Sequence, residues 1–146
     1  MLDKHEQYYI SNASKSWNLY DMQGNVVQFS ELNRKPVFVN VWATWCPPCV
    51  AELPGIEEVF EEYNDKVSFI LVTNEDKETV KKFLERKQMQ NLPVYFAETV
   101  PVEFSSNSIP ATFVVARDGK IVVNKKGAAR WNTGTTRELF DQLIKE

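Results

Sequence analysis

Two nearly continuous apolar runs, residues 36–42 and 67–72, dominate the pattern of hydrophobic and polar positions. Such runs predict strands covered on both faces, as in the sheet of an α/β protein. Each run is followed by apolar residues at helical spacing, which predicts one helix starting near Pro47 and a second over residues 76–89. The predicted apolar faces are Leu53, Ile56, Phe60 and Tyr63 in the first helix and Val80, Phe83 and Leu84 in the second. We expect Pro54 to kink the first helix.

The N-terminal part of the chain predicts a hairpin. Residues 17–20 and 26–29 flank a turn centred on Gly24-Asn25, as paired antiparallel strands do. Residues 1–15 are polar and without periodicity, so we expect a flexible segment there. No linker or repeat interrupts the rest, which predicts a single domain over residues 16–146.

The C-terminal half predicts further strands and a last helix. Residues 93–96 are expected to form a short strand, and residues 97–108 a polar connection. Residues 111–115 and 120–124 flank Arg117-Asp118-Gly119, a hairpin signal. Thr135-Thr136-Arg137-Glu138 has the pattern of a capping box at the start of a helix. The order of elements indicates an α/β sheet that ends in an antiparallel hairpin.

Composition excludes several classes of function. The chain of 146 residues has a formal net charge of −3, which argues against a nucleic-acid-binding protein because such proteins present basic patches. No apolar run approaches the roughly 18 residues of a membrane span. The first residues lack the pattern of a signal peptide. Either the protein is cytosolic, or an export segment is missing from this sequence.

Both cysteines lie in residues 42–49 (WATWCPPC), where the first apolar strand ends and a helix begins. A bridge between Cys46 and Cys49 would close too short a loop to add much stability. Structural zinc takes four ligands, and the one histidine, His5, is distant in the sequence, so we expect no metal. Prolines between the cysteines and a strand before them favour a redox-active dithiol.

The predicted helix gives the two thiols different roles. Unpaired amides and the dipole at a helix N-terminus favour a thiolate at Cys46, because only the thiolate attacks a disulfide. Cys49 lies one turn further along and is expected to be more buried, so we interpret Cys46 as the attacking sulfur and Cys49 as the resolving one. Pro47 and Pro48 stiffen the loop and remove two amide donors. Weaker thiolate stabilisation tends to make the dithiol a better reductant.

Glu52 follows Cys49 by three residues and therefore lies on the same side of the helix. It has two interpretations. One is a solvated helix carboxylate. The other is a partly buried acid–base group whose raised pKa suits proton transfer with Cys49.

Four aromatic residues and one proline have structural and functional interpretations. Trp42, Trp45 and Phe113 either line a substrate groove near Cys46 or belong to the core, and we favour Trp45 as a partly exposed groove residue. Trp131 is assigned to loop packing. On residue physics alone, Pro110 is an ordinary trans proline before a strand.

The quoted residues resemble the thioredoxin superfamily, specifically its TlpA/ResA-like branch, from about Trp17 to the C-terminus. The matching features are the apolar strand, the WATWCPPC segment and the following Glu52-Leu53-Pro54. The resemblance implies a thioredoxin-like fold: a central mixed sheet flanked by helices, an N-terminal hairpin and a central strand–helix insertion. It also implies that Ile109-Pro110 is a cis-proline loop packed against the cysteines.

The resemblance extends to the substrate-binding and acid–base residues. Ile109 would offer its backbone to an extended substrate segment, beside Trp45, Pro47, Pro48 and Pro110. Thioredoxin-like reductases carry a buried aspartate six residues before the first cysteine, and this chain has Asn40 there. Glu52 is then the natural candidate for the acid–base role.

The resemblance also implies an activity and a setting. TlpA/ResA-like proteins work outside the bacterial cytoplasm and reduce disulfides in partner proteins, often apocytochromes c. We therefore expect a monomeric protein disulfide reductase that needs no organic cofactor and receives electrons from a membrane-bound dithiol protein. An anchor or signal would then be absent from this sequence. Three alternatives remain open: a Cu(I)-handling thiol module, since thiolates suit Cu(I), a general disulfide oxidant or isomerase, and a redox-silent interaction domain.

Overall fold

Seven strands form one mixed sheet in the computed structural model, which describes residues 9–146. The strands are β1 Asn18–Tyr20, β2 Val26–Gln28, β3 Val37–Val41, β4 Ser68–Thr73, β5 Val94–Phe96, β6 Ala111–Val115 and β7 Ile121–Lys126. The helices are α1 Asn12–Lys15, α2 Phe29–Leu32, α3 Pro47–Tyr63, α4 Lys77–Lys87 and α5 Gly134–Lys145, with a 3₁₀ turn at Val102–Phe104. The predicted fold class, a mixed sheet flanked by helices, is confirmed.

The sheet has the strand order β2-β1-β5-β4-β3-β6-β7. Pairs β3–β4 and β4–β5 are parallel, whereas the hairpins β1–β2 and β6–β7 and the pairs β3–β6 and β1–β5 are antiparallel. The central insertion supplies α4 and β5, and β5 lies between β4 and the N-terminal hairpin. Both predicted hairpins are therefore present, at opposite edges of the sheet.

Side chains of the central strands alternate between two hydrophobic clusters, because successive residues of a strand point to opposite faces. In β3, Phe38 belongs to the cluster that contains the apolar faces of α3, α4 and α5, whereas Val37 and Val39 belong to the other cluster. The predicted helix residues Leu53, Ile56, Val80, Phe83 and Leu84 are all buried. The apolar runs therefore correspond to strands buried on both faces, as predicted.

Three local predictions differ from the structure. Residues 97–108 are more than a polar connection, since Phe104 is fully buried and its ring contacts those of Trp17, Phe29 and Phe113. One aromatic residue in a polar stretch leaves no periodic signal. The capping box at Thr135 is wrong: Thr133 caps α5, its hydroxyl accepting from the Thr136 amide at 3.2 Å, so the helix starts two residues earlier than that box predicts.

The third difference concerns residues 9–15, where we expected no regular structure. Ser11 caps the short helix α1, and Ile10 is buried with its amide donating to the Gly119 carbonyl at 2.9 Å. Its side chain packs over Gly119, at the β6–β7 turn, where φ is +91° and a Cβ would lie 3.1 Å from Ile10. Residues 1–8 of the expected flexible segment lie outside the described residues, and the domain boundary at residue 16 stays a prediction.

None of the helices described within residues 9–146 is long and apolar enough to cross a membrane. Pro54 lies inside α3, and the kink expected there stays a prediction.

Candidate active site

Cys46 and Cys49 are joined by a disulfide at the junction of β3 and α3. Cys46 is the N-cap of α3, and the Cys49 amide points at its Sγ at a distance of 3.3 Å. Cys49 is fully buried, whereas 4% of Cys46 is exposed. In the dithiol form, the helix N-terminus and this amide stabilise a thiolate at Cys46. The predicted difference in burial between the two cysteines is confirmed.

The loop before β6 lies against the Cys46 sulfur. The Ile109–Pro110 peptide bond is cis, as the resemblance implied, and the Ile109 carbonyl oxygen is 3.8 Å from Cys46 Sγ. Pro110 is buried, and its carbonyl accepts from the Gly127 amide at 2.8 Å. Ile109 therefore presents backbone next to the disulfide, where an extended segment of another protein could pair with it.

Glu52 lies one helical turn after Cys49 and is only 5% exposed. Its Oε1 accepts from Asn40 Nδ2 at 2.8 Å, and its Oε2 accepts from the Ala129 amide and from Trp131 Nε1, both at 3.0 Å. Burial raises the pKa of Glu52, and these three hydrogen bonds oppose the rise. Glu52 is therefore a buried carboxyl with a raised pKa, not a solvated one.

Asn40 connects this carboxyl to the strand that follows the cis-proline. It is fully buried on β3, and its Nδ2 also donates to Thr112 Oγ1 at 2.9 Å. Within the described residues its Oδ1 has no hydrogen-bond partner. An ionised carboxylate only accepts hydrogen bonds, so the amide turns its NH₂ toward Glu52 and leaves Oδ1 unpaired. A protonated Glu52 could donate to Oδ1 if the amide turned over.

Reasoning from the sequence missed two residues of this network, Trp131, which bonds to Glu52, and Thr112, which bonds to Asn40. Trp131 was assigned to loop packing, which is incomplete: it packs edge-on against Phe38, with ring centroids 5.2 Å apart, and also donates to Glu52. Thr112 was not singled out. The available signal was Asn40 itself, because a polar residue inside an otherwise apolar strand needs a buried partner.

The solvent side of the disulfide, unlike the buried side around Glu52, is lined by exposed residues. Trp45 is 71% exposed, whereas Trp42 and Phe113 belong to the core with 2% and 1% exposed. Pro47 and Pro48, which follow Cys46 in the sequence, are also exposed. A groove of about 200 Å³ runs past Trp45 and Ile109. The expectation that Trp45 faces solvent is confirmed, and its contact with substrate stays a prediction.

Glu75, two residues after the end of β4, fixes the loop that carries Trp45. Its carboxylate accepts from the Thr44 amide at 2.9 Å and from the Thr44 hydroxyl at 2.6 Å. The Thr73 hydroxyl donates to the same carboxylate at 2.9 Å. The residues just before Cys46 are therefore tied to the sheet. No sequence pattern marked this contact, because Glu75 lies 31 positions after Thr44.

Comparisons with known proteins agree with this geometry. A protein-family model described as Redoxin matches residues 11–143. The thiol-disulfide oxidoreductase ResA of Halalkalibacterium halodurans is 33% identical over 131 residues, which cover 87% of this chain and 72% of that protein.

Two solved structures share the fold. A thiol:disulfide interchange protein of the thioredoxin family from Chlorobium tepidum has a TM-score of 0.74 at 23% identity, covering 90% of this chain and 94% of its own. An exposed lipoprotein thioredoxin from Streptococcus pneumoniae has a TM-score of 0.68 at 21% identity, covering 89% and 98%.

Proposed function

The chain belongs to the redoxin family as a ResA-like thiol-disulfide oxidoreductase, and we propose that it acts mainly as a reductant of disulfides in partner proteins. One observation supports reduction, and not oxidation, of the partner's disulfide. Among the hydrogen bonds of the described residues, Cys46 Sγ receives a single amide donor, from Cys49. Pro47 and Pro48 have no amide hydrogen to add. A thiolate with few donors is less stabilised, and a less stabilised dithiol gives up its electrons more readily.

The reaction proceeds in two exchange steps. The Cys46 thiolate attacks one sulfur of the substrate disulfide, a new sulfur–sulfur bond forms, and the other substrate sulfur leaves as a thiolate that takes up a proton. The Cys49 thiolate then attacks Cys46 Sγ and releases the second substrate thiol. The substrate gains two electrons and two protons, and Cys46 and Cys49 end as the disulfide seen in the structure.

Glu52 is the proposed proton acceptor for the second step. Cys49 is fully buried, so its thiol lacks direct access to water. Glu52 follows one turn later on the same side of α3. Its raised pKa brings it closer to the operating pH, where an acid–base group works best. Oε2 also contacts the 129–131 segment, next to a groove lined by Ala128 and Arg130 through which a proton could reach solvent.

The substrates, donor and location are also proposals. We infer extracytoplasmic protein substrates such as apocytochromes c, and re-reduction by a membrane-bound dithiol protein. The TlpA/ResA-like sequence pattern and the ResA relative support this setting, and the exposed Trp45 beside Cys46 supports a protein substrate. Ile109, Pro110, Pro47 and Pro48 would form the rest of the contact with substrate.

The reduction potential of the Cys46–Cys49 couple tests the proposed direction. Equilibration in a thiol redox buffer should give a value near or below about −250 mV, in the range of reductants such as thioredoxin. A value between about −120 and −180 mV would instead assign the protein to the oxidants or isomerases. Stoichiometric copper bound by both thiols in the purified protein would favour the Cu(I)-handling alternative.

A further inference from the structure

A second groove, of about 510 Å³, opens beside Cys46 between the start of α3 and the inserted helix α4. Its apolar lining includes Trp45, Pro47, Val50 and Phe83, and two basic residues from the last turn of α4, Arg86 and Lys87, complete it. Trp45 also lines the groove that passes Ile109. Trp45 therefore borders both grooves next to the reactive sulfur.

Arg86 and Lys87 keep their charges available for a partner. Both are exposed, and the Arg86 guanidinium lies 5.7 Å from the centroid of the Phe83 ring, a cation–π contact that orients it over the apolar floor. Within residues 9–146 the ion pairs formed are those of Arg137 with Glu58 and Glu62. Basic residues at a helix C-terminus stabilise the helix dipole wherever they point. That role does not explain why these two line a groove beside the attacking cysteine.

The two grooves differ in charge. The groove past Ile109 includes the exposed carboxylate of Glu98 and no basic residue. The α4 groove includes two cations and no acidic residue. This basic groove is found in a chain whose formal net charge is −3. A segment of a partner protein that reaches Cys46 would therefore meet a positive potential on the α4 side of Trp45 and a negative potential on the Ile109 side.

We propose that the α4 groove binds acidic side chains of the partner protein close to the disulfide under attack, which makes Arg86 and Lys87 determinants of substrate specificity. The proposal rests on the proposed function and names its substrate class: disulfides flanked within a few residues by aspartate or glutamate and an apolar residue. The apolar residue packs against Trp45 and Val50, and the carboxylate pairs with the two cations. The inserted helix thereby becomes part of the substrate site.

The experiment compares three peptides that each contain one internal disulfide and differ only in a flanking pair of residues: acidic, neutral or basic. The kcat/KM for reduction is measured with the wild type, with R86Q/K87Q and with K81Q/K82Q. The last variant is a matched control, since Lys81 and Lys82 are exposed on the same helix and lie outside the groove. Their substitution also removes two positive charges from the protein. Circular dichroism checks that both variants fold.

The wild type should reduce the acidic peptide about tenfold faster than the basic one at low ionic strength, with the ratio falling toward one as salt is added. R86Q/K87Q should lose the preference and K81Q/K82Q should keep it. A preference retained by R86Q/K87Q, or equal rates for all peptides with the wild type, would overturn the proposal. Failure of the wild type to reduce even bis(2-hydroxyethyl) disulfide, a small neutral probe, would instead refute the proposed function.

Discussion

The two sides of the Cys46–Cys49 disulfide differ in burial and in polarity. On the buried side, a carboxyl with 5% of its surface exposed is held by three donors from two separate parts of the chain, β3 and the 129–131 segment. On the solvent side, Trp45 leaves 71% of its surface in water and lines two grooves. The buried side stabilises a charge that the interior disfavours. The exposed side presents apolar area that is not buried in the core of the fold. Substitutions on the two sides should therefore separate proton transfer from substrate binding.

Glu52→Gln should have the largest effect on the buried side. The variant keeps the size of the side chain and removes its titration, so the exchange rate should fall on the order of 10²-fold. The pH profile should also lose the limb that belongs to the raised pKa of Glu52. Stopped-flow fluorescence of the dithiol–disulfide exchange across pH measures both. Glu61→Gln, at an exposed position of the same helix, is the matched control.

The Glu52 carboxyl should also make the free energy of unfolding depend on pH. Because burial raises the pKa of Glu52 above its ordinary value of 4.5, the unfolded chain releases this proton at lower pH than the folded one. Between those two pKa values the unfolded state holds fewer protons, so this group lowers the free energy of unfolding as pH rises. Denaturant titrations should show a difference between wild type and Glu52→Gln that changes as the pH rises above 4.5 and becomes constant once the pH has passed the raised pKa of Glu52. A constant difference contradicts the buried-carboxyl account.

Trp42→Ala and Trp45→Ala contrast the two sides through two tryptophans near Cys46. Trp42 is buried against Phe83, with ring centroids 5.8 Å apart, and its removal should cost about 3–5 kcal/mol of unfolding free energy. Trp45→Ala should change stability by less than about 0.5 kcal/mol, since its ring is exposed. It should slow the reduction of protein disulfides more than that of a small disulfide. Equal slowing of both would remove Trp45 from the substrate site.

Asn40→Leu should have a smaller effect that depends on pH. The variant removes a donor from Glu52 Oε1 and should raise the pKa of Glu52 further, because one of the bonds that oppose the rise is lost. The cost should reach about 1–3 kcal/mol where Glu52 is ionised and be smaller where it is protonated. Thr112→Val removes the other partner of the Asn40 amide and is the control. A penalty for Asn40→Leu that is as insensitive to pH as that of Thr112→Val would exclude coupling to Glu52.

The sequence allowed the fold and the reactive pair to be predicted because both have local signals. Apolar runs define β3 and β4, and prolines within WATWCPPC define the start of α3. The surroundings of Glu52 had no such signal. Trp131 and Ala129 lie 79 and 77 positions away, and their contact depends on how the segment after β7 crosses α3. Phe104 and Ile10 were missed for the same reason, since single buried residues in polar stretches have no period to detect.

The proposed division of roles between the two cysteines is measured directly by trapping the mixed disulfide with a substrate. Cys49→Ser and Cys46→Ser are each reduced, mixed with an oxidised protein substrate and analysed by non-reducing electrophoresis and mass spectrometry. Cys49→Ser should accumulate a mixed disulfide through Cys46, because the second step is blocked, whereas Cys46→Ser should trap little, since Cys49 is fully buried. A mixed disulfide through Cys49, formed by Cys46→Ser in equal yield, would contradict the account.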